Sequence, residues 1–154
     1  MGTSYGISCK ECDYSKNFII GTGMMYGPVN LMDFDSEFPL LQQLIRSKKA
    51  ISNIKQLLNE KNATITEGYG HAIYRCPKCG EFYERFFIHL DYEEGCYEVE
   101  YRCIHCKAIL KSLLHDERIF EDEALEEIPL EKYPCPKCGK YSLYQNKERE
   151  ILWD

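Results

Sequence analysis

The stretch YRCPKCG at residues 74–80 decides the fold, because two residues separate its cysteines and glycine follows them. A tight turn of this spacing aims both sulfur atoms at one cation. A near copy, YPCPKCG, occupies residues 133–139, and further Cys-x-x-Cys pairs lie at residues 9–12 and 103–106. Two such turns facing each other complete a tetrahedral shell of four thiolates. Four pairs therefore predict two closed metal sites.

The predicted ligands are eight of the nine cysteines: Cys9, Cys12, Cys76, Cys79, Cys103, Cys106, Cys135 and Cys138. Zinc is the favoured metal, with two structural ions per chain, and iron is the rival because four thiolates also suit it. A closed shell leaves no open position for water or substrate, so we expect no catalysis at these metals. The ninth cysteine, Cys96, is predicted to be a buried small residue.

The sequence leaves open which pairs share a metal. A hairpin turning at residues 93–95 would have thirteen residues in its outgoing arm (80–92) and seven in its return arm (96–102). With straight arms, this mismatch would separate the two turns by roughly 20 Å. We therefore favour the sequential grouping of residues 9–12 with 76–79, and of 103–106 with 135–138. The alternative joins 76–79 to 103–106, and 9–12 to 135–138.

Composition and charge restrict the class of protein. The chain has 154 residues and a net charge of −6, which is concentrated at residues 116–133 with eight acidic and two basic side chains. The cysteine-bearing parts are nearly neutral, unlike the basic surface of a protein that binds phosphate backbones. No apolar run is long enough for a membrane span, and no signal peptide is evident. We expect a cytoplasmic protein with reduced thiols.

Periodicity predicts an α+β fold. Apolar residues recur every three or four positions within residues 36–60, which indicates a helical insertion, and the basic residues Arg46, Lys48 and Lys49 suggest a break in it. Ser36 or Asp35 is the expected N-cap. From residue 69 the period changes to two, which indicates strands. Acidic residues 116–133 are expected to form a connector.

Two resemblances extend this interpretation. The segments 74–80 and 133–139 resemble the knuckles of the zinc-ribbon superfamily, and the opening Cys9-x-x-Cys12-Asp-Tyr14 with Gly21-x-Gly-Met24 is similar to uncharacterised bacterial proteins that have several such knuckles. Asp13 and Lys107 stand where these knuckles usually have glycine. The resemblance implies fold and metal, and it says little about function.

Two features could carry a further function. Glu93 and Glu94 at a hairpin tip are similar to the acidic pair with which transcript-cleavage elongation factors reach into RNA polymerase, although acidic residues are also ordinary turn formers. Aromatic residues of the strands could stack on bases, but without interleaved cations they are more simply explained by packing. They are Tyr83, Phe87, Tyr97 and Tyr101.

Together these patterns predict two small antiparallel zinc ribbons with a helical insertion in the first. The first ribbon would span residues 1–92, with the insertion at about 36–60, and the second would span residues 93–154, with the acidic connector at about 116–133. The expected function is that of a non-catalytic adaptor or regulator that binds another protein. The alternative is a module that binds nucleic acid or the transcription machinery.

Overall fold

The computed structural model of the protein describes residues 2–113, 128–149 and 151–153. Within these residues the architecture is mixed α+β, and every strand pairing is antiparallel. The predicted α+β class is confirmed at this level. The predicted acidic connector falls largely outside the described residues. The strands are β1 (Gly2–Cys9), β2 (Ser15–Gly21), β3 (Thr64–Ile65), β4 (Gly70–Arg75), β5 (Phe82–Phe87), β6 (His89–Tyr92), β7 (Gly95–Glu98), β8 (Lys111–Ser112), β9 (Leu143–Gln145) and β10 (Leu152–Trp153).

Seven strands form the large sheet, in the order β10-β1-β2-β4-β5, with β8 on β4 and β9 on β1. The strands β9 and β10 come from the end of the chain, and both pair with β1 at its beginning. The remaining strands form a small sheet in the order β3-β6-β7. The large sheet thus joins strands from both predicted ribbons, while their boundary at residues 92–93 stays a prediction.

The long arm predicted for residues 80–92 is two strands rather than one. β5 ends at Phe87 in the large sheet, and β6 begins at His89 in the small sheet. The chain changes sheet at Ile88, whose side chain is fully buried. Glu93 and Glu94 form the two-residue turn of the β6–β7 hairpin, because Tyr92 pairs with Gly95. The turn is where the sequence predicts it, but the arm before it changes direction.

The helical insertion consists of α2 (Leu40–Leu44) and α3 (Lys48–Glu60), after a single turn, α1 (Pro28–Leu31). The predicted break at the basic residues is confirmed. Ser47 caps α3 by accepting a hydrogen bond from the Ala50 amide at 3.2 Å, so the predicted caps at residues 35 and 36 are wrong. Ser36 is not adjacent to a helix, because Pro39 is the residue that precedes α2. Among the described residues, no helix has the length and apolar character that crossing a membrane requires.

Buried side chains form two clusters. The large-sheet cluster contains Tyr5, Ile7 and Phe18 together with four cysteines, namely Cys9, Cys76, Cys103 and Cys135. The helical cluster joins Leu41, Ile45, Ile51 and Ile54 of the predicted apolar stripe, together with Ala50, to Phe86, Ile88, Leu90 and Val99. The stripe therefore packs on β5, β6 and the segment after β7.

One glycine contact joins the two halves of the large sheet. Gly21 pairs with His71 between β2 and β4, and a Cβ atom on Gly70 would lie 2.8 Å from the Gly21 carbonyl oxygen. Gly70 also has a φ of +156°, which residues with a side chain rarely adopt. Both constraints require glycine at this position.

We expect Gly70→Ala to lower the free energy of unfolding by about 2 kcal/mol, because of backbone strain and the close approach to Gly21. Gly27→Ala is the control, since Gly27 has a φ of −57° and its added Cβ would lie 3.9 Å from the Met24 carbonyl oxygen, an ordinary contact distance. It should change the unfolding free energy by less than about 0.5 kcal/mol. Urea unfolding of the metal-loaded variants measures both, and equal effects would contradict the proposed constraint.

Candidate metal centres

The eight paired cysteines form two tetrads. The outer tetrad contains Cys9, Cys12, Cys135 and Cys138, and the inner tetrad contains Cys76, Cys79, Cys103 and Cys106. Within each tetrad, all sulfur atoms lie within 4.8 Å of one another. Two sites that could hold two metal ions are therefore present. The assignment of the individual cysteines as ligands stays a prediction.

The grouping corrects the favoured sequential pairing and follows the alternative. The predicted separation of the two turns holds only for a straight outgoing arm, but the chain changes sheet at Ile88. A bent arm spans a shorter end-to-end distance than its residue count implies, so the return segment reaches the inner tetrad. Tyr101 fixes this return, because its hydroxyl donates a 2.6 Å hydrogen bond to the Phe86 carbonyl oxygen.

The spacing of the sulfur atoms fits a tetrahedral ion. With metal–sulfur bonds of about 2.3 Å, tetrahedral thiolates lie about 3.8 Å apart. In the outer tetrad, the Cys9–Cys138 and Cys12–Cys135 sulfur pairs are 3.7 and 3.6 Å apart. In the inner tetrad, the Cys79–Cys103 pair is 3.6 Å apart, and the Cys76–Cys106 pair is somewhat closer at 3.3 Å. No pair is at the disulfide distance of about 2.05 Å.

The four knuckles share one backbone pattern, in which the amide of the first cysteine donates to the carbonyl oxygen five residues later. The acceptors are Tyr14, Glu81, Ala108 and Lys140, at distances of 2.8–3.0 Å. The pattern turns the chain back on itself, so that the sulfur atoms of both cysteines point into the turn. The first cysteine of each pair is buried in the large-sheet cluster.

Glycine is not required in every knuckle. Gly80 and Gly139 have φ values of 79° and 75°, and Lys107 adopts the same left-handed conformation at 62°. The Lys107 ammonium group donates to the Ile104 carbonyl oxygen at 3.1 Å, which stabilises the turn from within. Asp13 has no left-handed backbone, but it forms an ion pair with Lys137 across the outer tetrad. The two departures from the ribbon pattern thus have separate structural solutions.

Ion pairs connect the two knuckles of the outer tetrad. Besides the Asp13–Lys137 pair, the Lys140 ammonium group lies 3.2 Å from the Glu11 carboxylate. The first knuckle carries two acidic residues and the fourth carries two basic residues. Lys140 is the sequence signal that distinguishes the fourth knuckle as the partner of the first, because the second and third knuckles have Glu81 and Ala108 at the equivalent position.

The two tetrads lie near each other at one end of the large sheet. Glu81 follows the inner knuckle and accepts hydrogen bonds from the Tyr14 hydroxyl at 3.0 Å and the Lys16 ammonium group at 2.7 Å, both after the outer knuckle. Burial opposes ionisation of Glu81, but these hydrogen bonds and that of the Phe82 amide outweigh it and lower its pKa. A carboxylate therefore bridges the segments that follow the two sites.

The thiols of the inner tetrad differ strongly in acidity. Burial opposes ionisation of Cys103, but hydrogen bonds from the Tyr83 hydroxyl, at 3.2 Å, and from nearby backbone amides lower its pKa to about 5. At Cys79 a hydrogen bond from the Glu81 amide favours the thiolate, but burial and the neighbouring thiols raise the pKa to about 12. Four adjacent thiolates repel one another, so they require a cation at their centre.

The remaining candidate residues lie outside the tetrads. Cys96 is exposed on β7 opposite Asp91, so its predicted burial is wrong. β7 lies at the edge of the small sheet, and no further strand among the described residues pairs with it. The tip residues Glu93 and Glu94 are exposed, and the Glu94 carboxylate lies 3.0 Å from the Lys61 ammonium group.

The aromatic residues considered for base stacking are packed inside the fold. Tyr83 and Phe87 are buried, and Tyr97 and Tyr101 are half-buried. Tyr101 also contacts Tyr74 edge-on, with ring centroids 5.3 Å apart. The packing explanation is therefore confirmed for these four residues.

Comparison of the chain with protein-family models, curated proteins and solved structures gave no match. The two cysteine tetrads fit zinc-ribbon-like knuckles, and the ribbon resemblance has this support alone.

The grouping of the cysteines can be tested with paired substitutions. Cys12→Ser with Cys138→Ser removes two sulfur atoms from the outer tetrad, so about one bound metal ion per chain should remain. Cys12→Ser with Cys79→Ser damages both tetrads, and neither should keep its ion against a weak chelator. Elemental analysis after dialysis measures both variants. The sequential grouping predicts the opposite result: Cys12→Ser with Cys79→Ser would keep about one ion, and Cys12→Ser with Cys138→Ser would keep none.

Proposed function

We propose that this chain is a non-catalytic zinc protein, in which two structural zinc ions hold a surface that binds another protein. The observation that carries the proposal is the pair of four-cysteine tetrads with sulfur spacings near those of a tetrahedral thiolate shell. Zinc prefers such shells, and its binding free energy becomes folding free energy. Reduced thiols at these positions are consistent with the cytoplasmic location that we propose.

The donor set favours a structural role for the metal. Each tetrad supplies four sulfur atoms, so no position would remain for water or substrate. The first cysteine of each knuckle is also part of the buried large-sheet cluster, as expected of a metal that stabilises the fold. We therefore propose that function resides on surfaces that the metals hold in place.

The charge distribution supports a protein partner over nucleic acid. In the outer tetrad, Lys137 pairs with Asp13 and Lys140 pairs with Glu11. These ion pairs make both lysines less available to a phosphate backbone. The aromatic residues that could stack on bases are packed between strands. Binding to single strands combines a basic groove that follows the backbone with aromatic faces that stack on bases, and these four aromatic residues do not provide such faces.

The metal assignment predicts two zinc ions per chain in protein purified from its native cell. Elemental analysis measures zinc and iron together, and iron at four thiolates would also give a visible absorption that zinc lacks. A strong chelator should unfold the protein, because the tetrads contribute directly to folding. One zinc ion per chain, or iron in its place, would contradict the assignment.

The adaptor function predicts a specific protein partner and weak binding to DNA and RNA. A pulldown from the native cell, analysed by mass spectrometry, should recover the same partner with wild-type chain and lose it after chelation. A mobility-shift assay at low salt is the matched measurement for nucleic acid. Tight, salt-dependent binding there would support the transcription-machinery alternative and contradict the adaptor proposal.

A further inference from the structure

A basic groove lies between α2 and α3, on the helical side of the protein. It has a volume of about 480 Å³. The buried residues Ile45 and Ile51 contribute an apolar floor. Cationic and polar side chains form the rest of its lining: Gln42, Arg46, Lys48, Ser52 and Lys55.

The charge around this groove is opposite to that of the protein. Residues 38–59 contain four basic side chains and no acidic one, in a chain of net charge −6. Arg46 and Lys48 are exposed, while Lys55 lies over the Phe34 ring with its ammonium group 4.9 Å from the ring centre. The groove therefore combines an apolar floor with a positively charged rim.

Helix stability does not explain these cations. Lys48 and Lys49 occupy the first turn of α3, which contains no acidic residue. The amino end of a helix carries a partial positive charge, so basic residues there are unfavourable by a few tenths of a kcal/mol each. An anionic ligand in the groove would relieve this repulsion as well as the repulsion among the rim cations.

We propose that this groove binds an acidic amphipathic segment of a partner protein, with carboxylates at the rim and apolar side chains on the floor. This proposal rests on the adaptor function and names the chemistry of its partner. An amphipathic helix seated between two helices is a common mode of peptide recognition. The α3 residues that line the groove extend from Lys48 to Lys55, about 10 Å along the helix axis, which matches about two turns of a bound helix.

The apolar floor favours a peptide over nucleic acid. A phosphate backbone gains from cations but not from Ile45 and Ile51, and three rim cations release few counterions. A peptide that alternates acidic and apolar pairs can use both parts of the groove.

The test uses a fluorescein-labelled peptide of three Glu-Glu-Leu-Leu repeats and the full zinc-loaded chain. Arg46→Glu with Lys48→Glu should weaken its binding by about tenfold or more, because two attractive rim contacts become repulsive. Lys111→Glu with Lys147→Glu is the control, since it changes the net charge equally at exposed sites away from the groove. The control should weaken binding by less than about twofold, because distant exposed charges are screened by salt.

Two further measurements keep the result interpretable. The zinc content of each variant shows whether it folds. If the variant with Arg46→Glu and Lys48→Glu does not fold, the variant with Arg46→Gln and Lys48→Gln takes its place. Replacing glutamate by glutamine in the probe should abolish binding, and so should replacing leucine by serine. Equal weakening by the groove and control variants, or unchanged binding of the glutamine probe, would overturn the proposal.

Other occupants give different outcomes, and each of these would also overturn it. A single-stranded oligonucleotide that binds more tightly than the peptide, and loses binding in the groove variant, would assign the groove to nucleic acid. Loss of a dimer in sedimentation of the groove variant would assign it to a second copy. In the native-cell pulldown, a partner retained by the groove variant contradicts the groove alone, whereas a wild-type chain without any partner contradicts the adaptor function itself.

Discussion

The outer tetrad requires the two ends of the chain to meet, and the large sheet depends on that meeting. Cys12 and Cys135 are 123 residues apart, whereas Cys79 and Cys103 of the inner tetrad are 24 apart. In a flexible chain, the longer closure costs about 1.4 kcal/mol more than the shorter one. The inner tetrad and the β4–β5 hairpin reduce this difference, because they shorten the free chain between the outer knuckles. The β1–β9 pairing then forms beside sulfur atoms that are already close.

Strand β5 couples the metal side of the protein to its helical side. Phe87 belongs to the large-sheet cluster, and its neighbour Phe86 belongs to the helical cluster, because adjacent residues of a strand point to opposite faces. Tyr101 packs against both clusters and donates to the Phe86 carbonyl oxygen. Loss of the inner metal would therefore disturb the support beneath α2 and α3. Through this connection, an ion in the inner tetrad would influence the shape of the proposed binding surface on α2 and α3.

The sequence predicts the local features of this structure well, but it predicts poorly which segments distant in sequence come together. Cys-x-x-Cys spacing locates the four knuckles, and the apolar period locates the helical stripe, because both depend on residues a few positions apart. The grouping of the pairs depends on a bend at Ile88, where the apolar alternation continues without any turn signal. The burial predicted for Cys96 is wrong for a related reason, because burial on β7 depends on which strands pair with it. The charges of Glu11 and Lys140 are visible in the sequence and favour the observed grouping, because the second knuckle has Glu81 at the position of Lys140.

A basic groove can attract an acidic segment although the whole protein is acidic, because salt screens charges that lie far apart. The screening length is about 8 Å, so an acidic segment at the groove responds mainly to Arg46, Lys48 and Lys55 and little to remote carboxylates. Because Arg46 and Lys48 are exposed, each such contact is weak by itself, and burial of apolar side chains on Ile45 and Ile51 would have to add to the affinity. Net charge therefore bears on the solubility of the chain, while local charge bears on which segment the proposed groove would recognise. In this proposal the metals would contribute to recognition only by holding β5 and the helices packed on it in place.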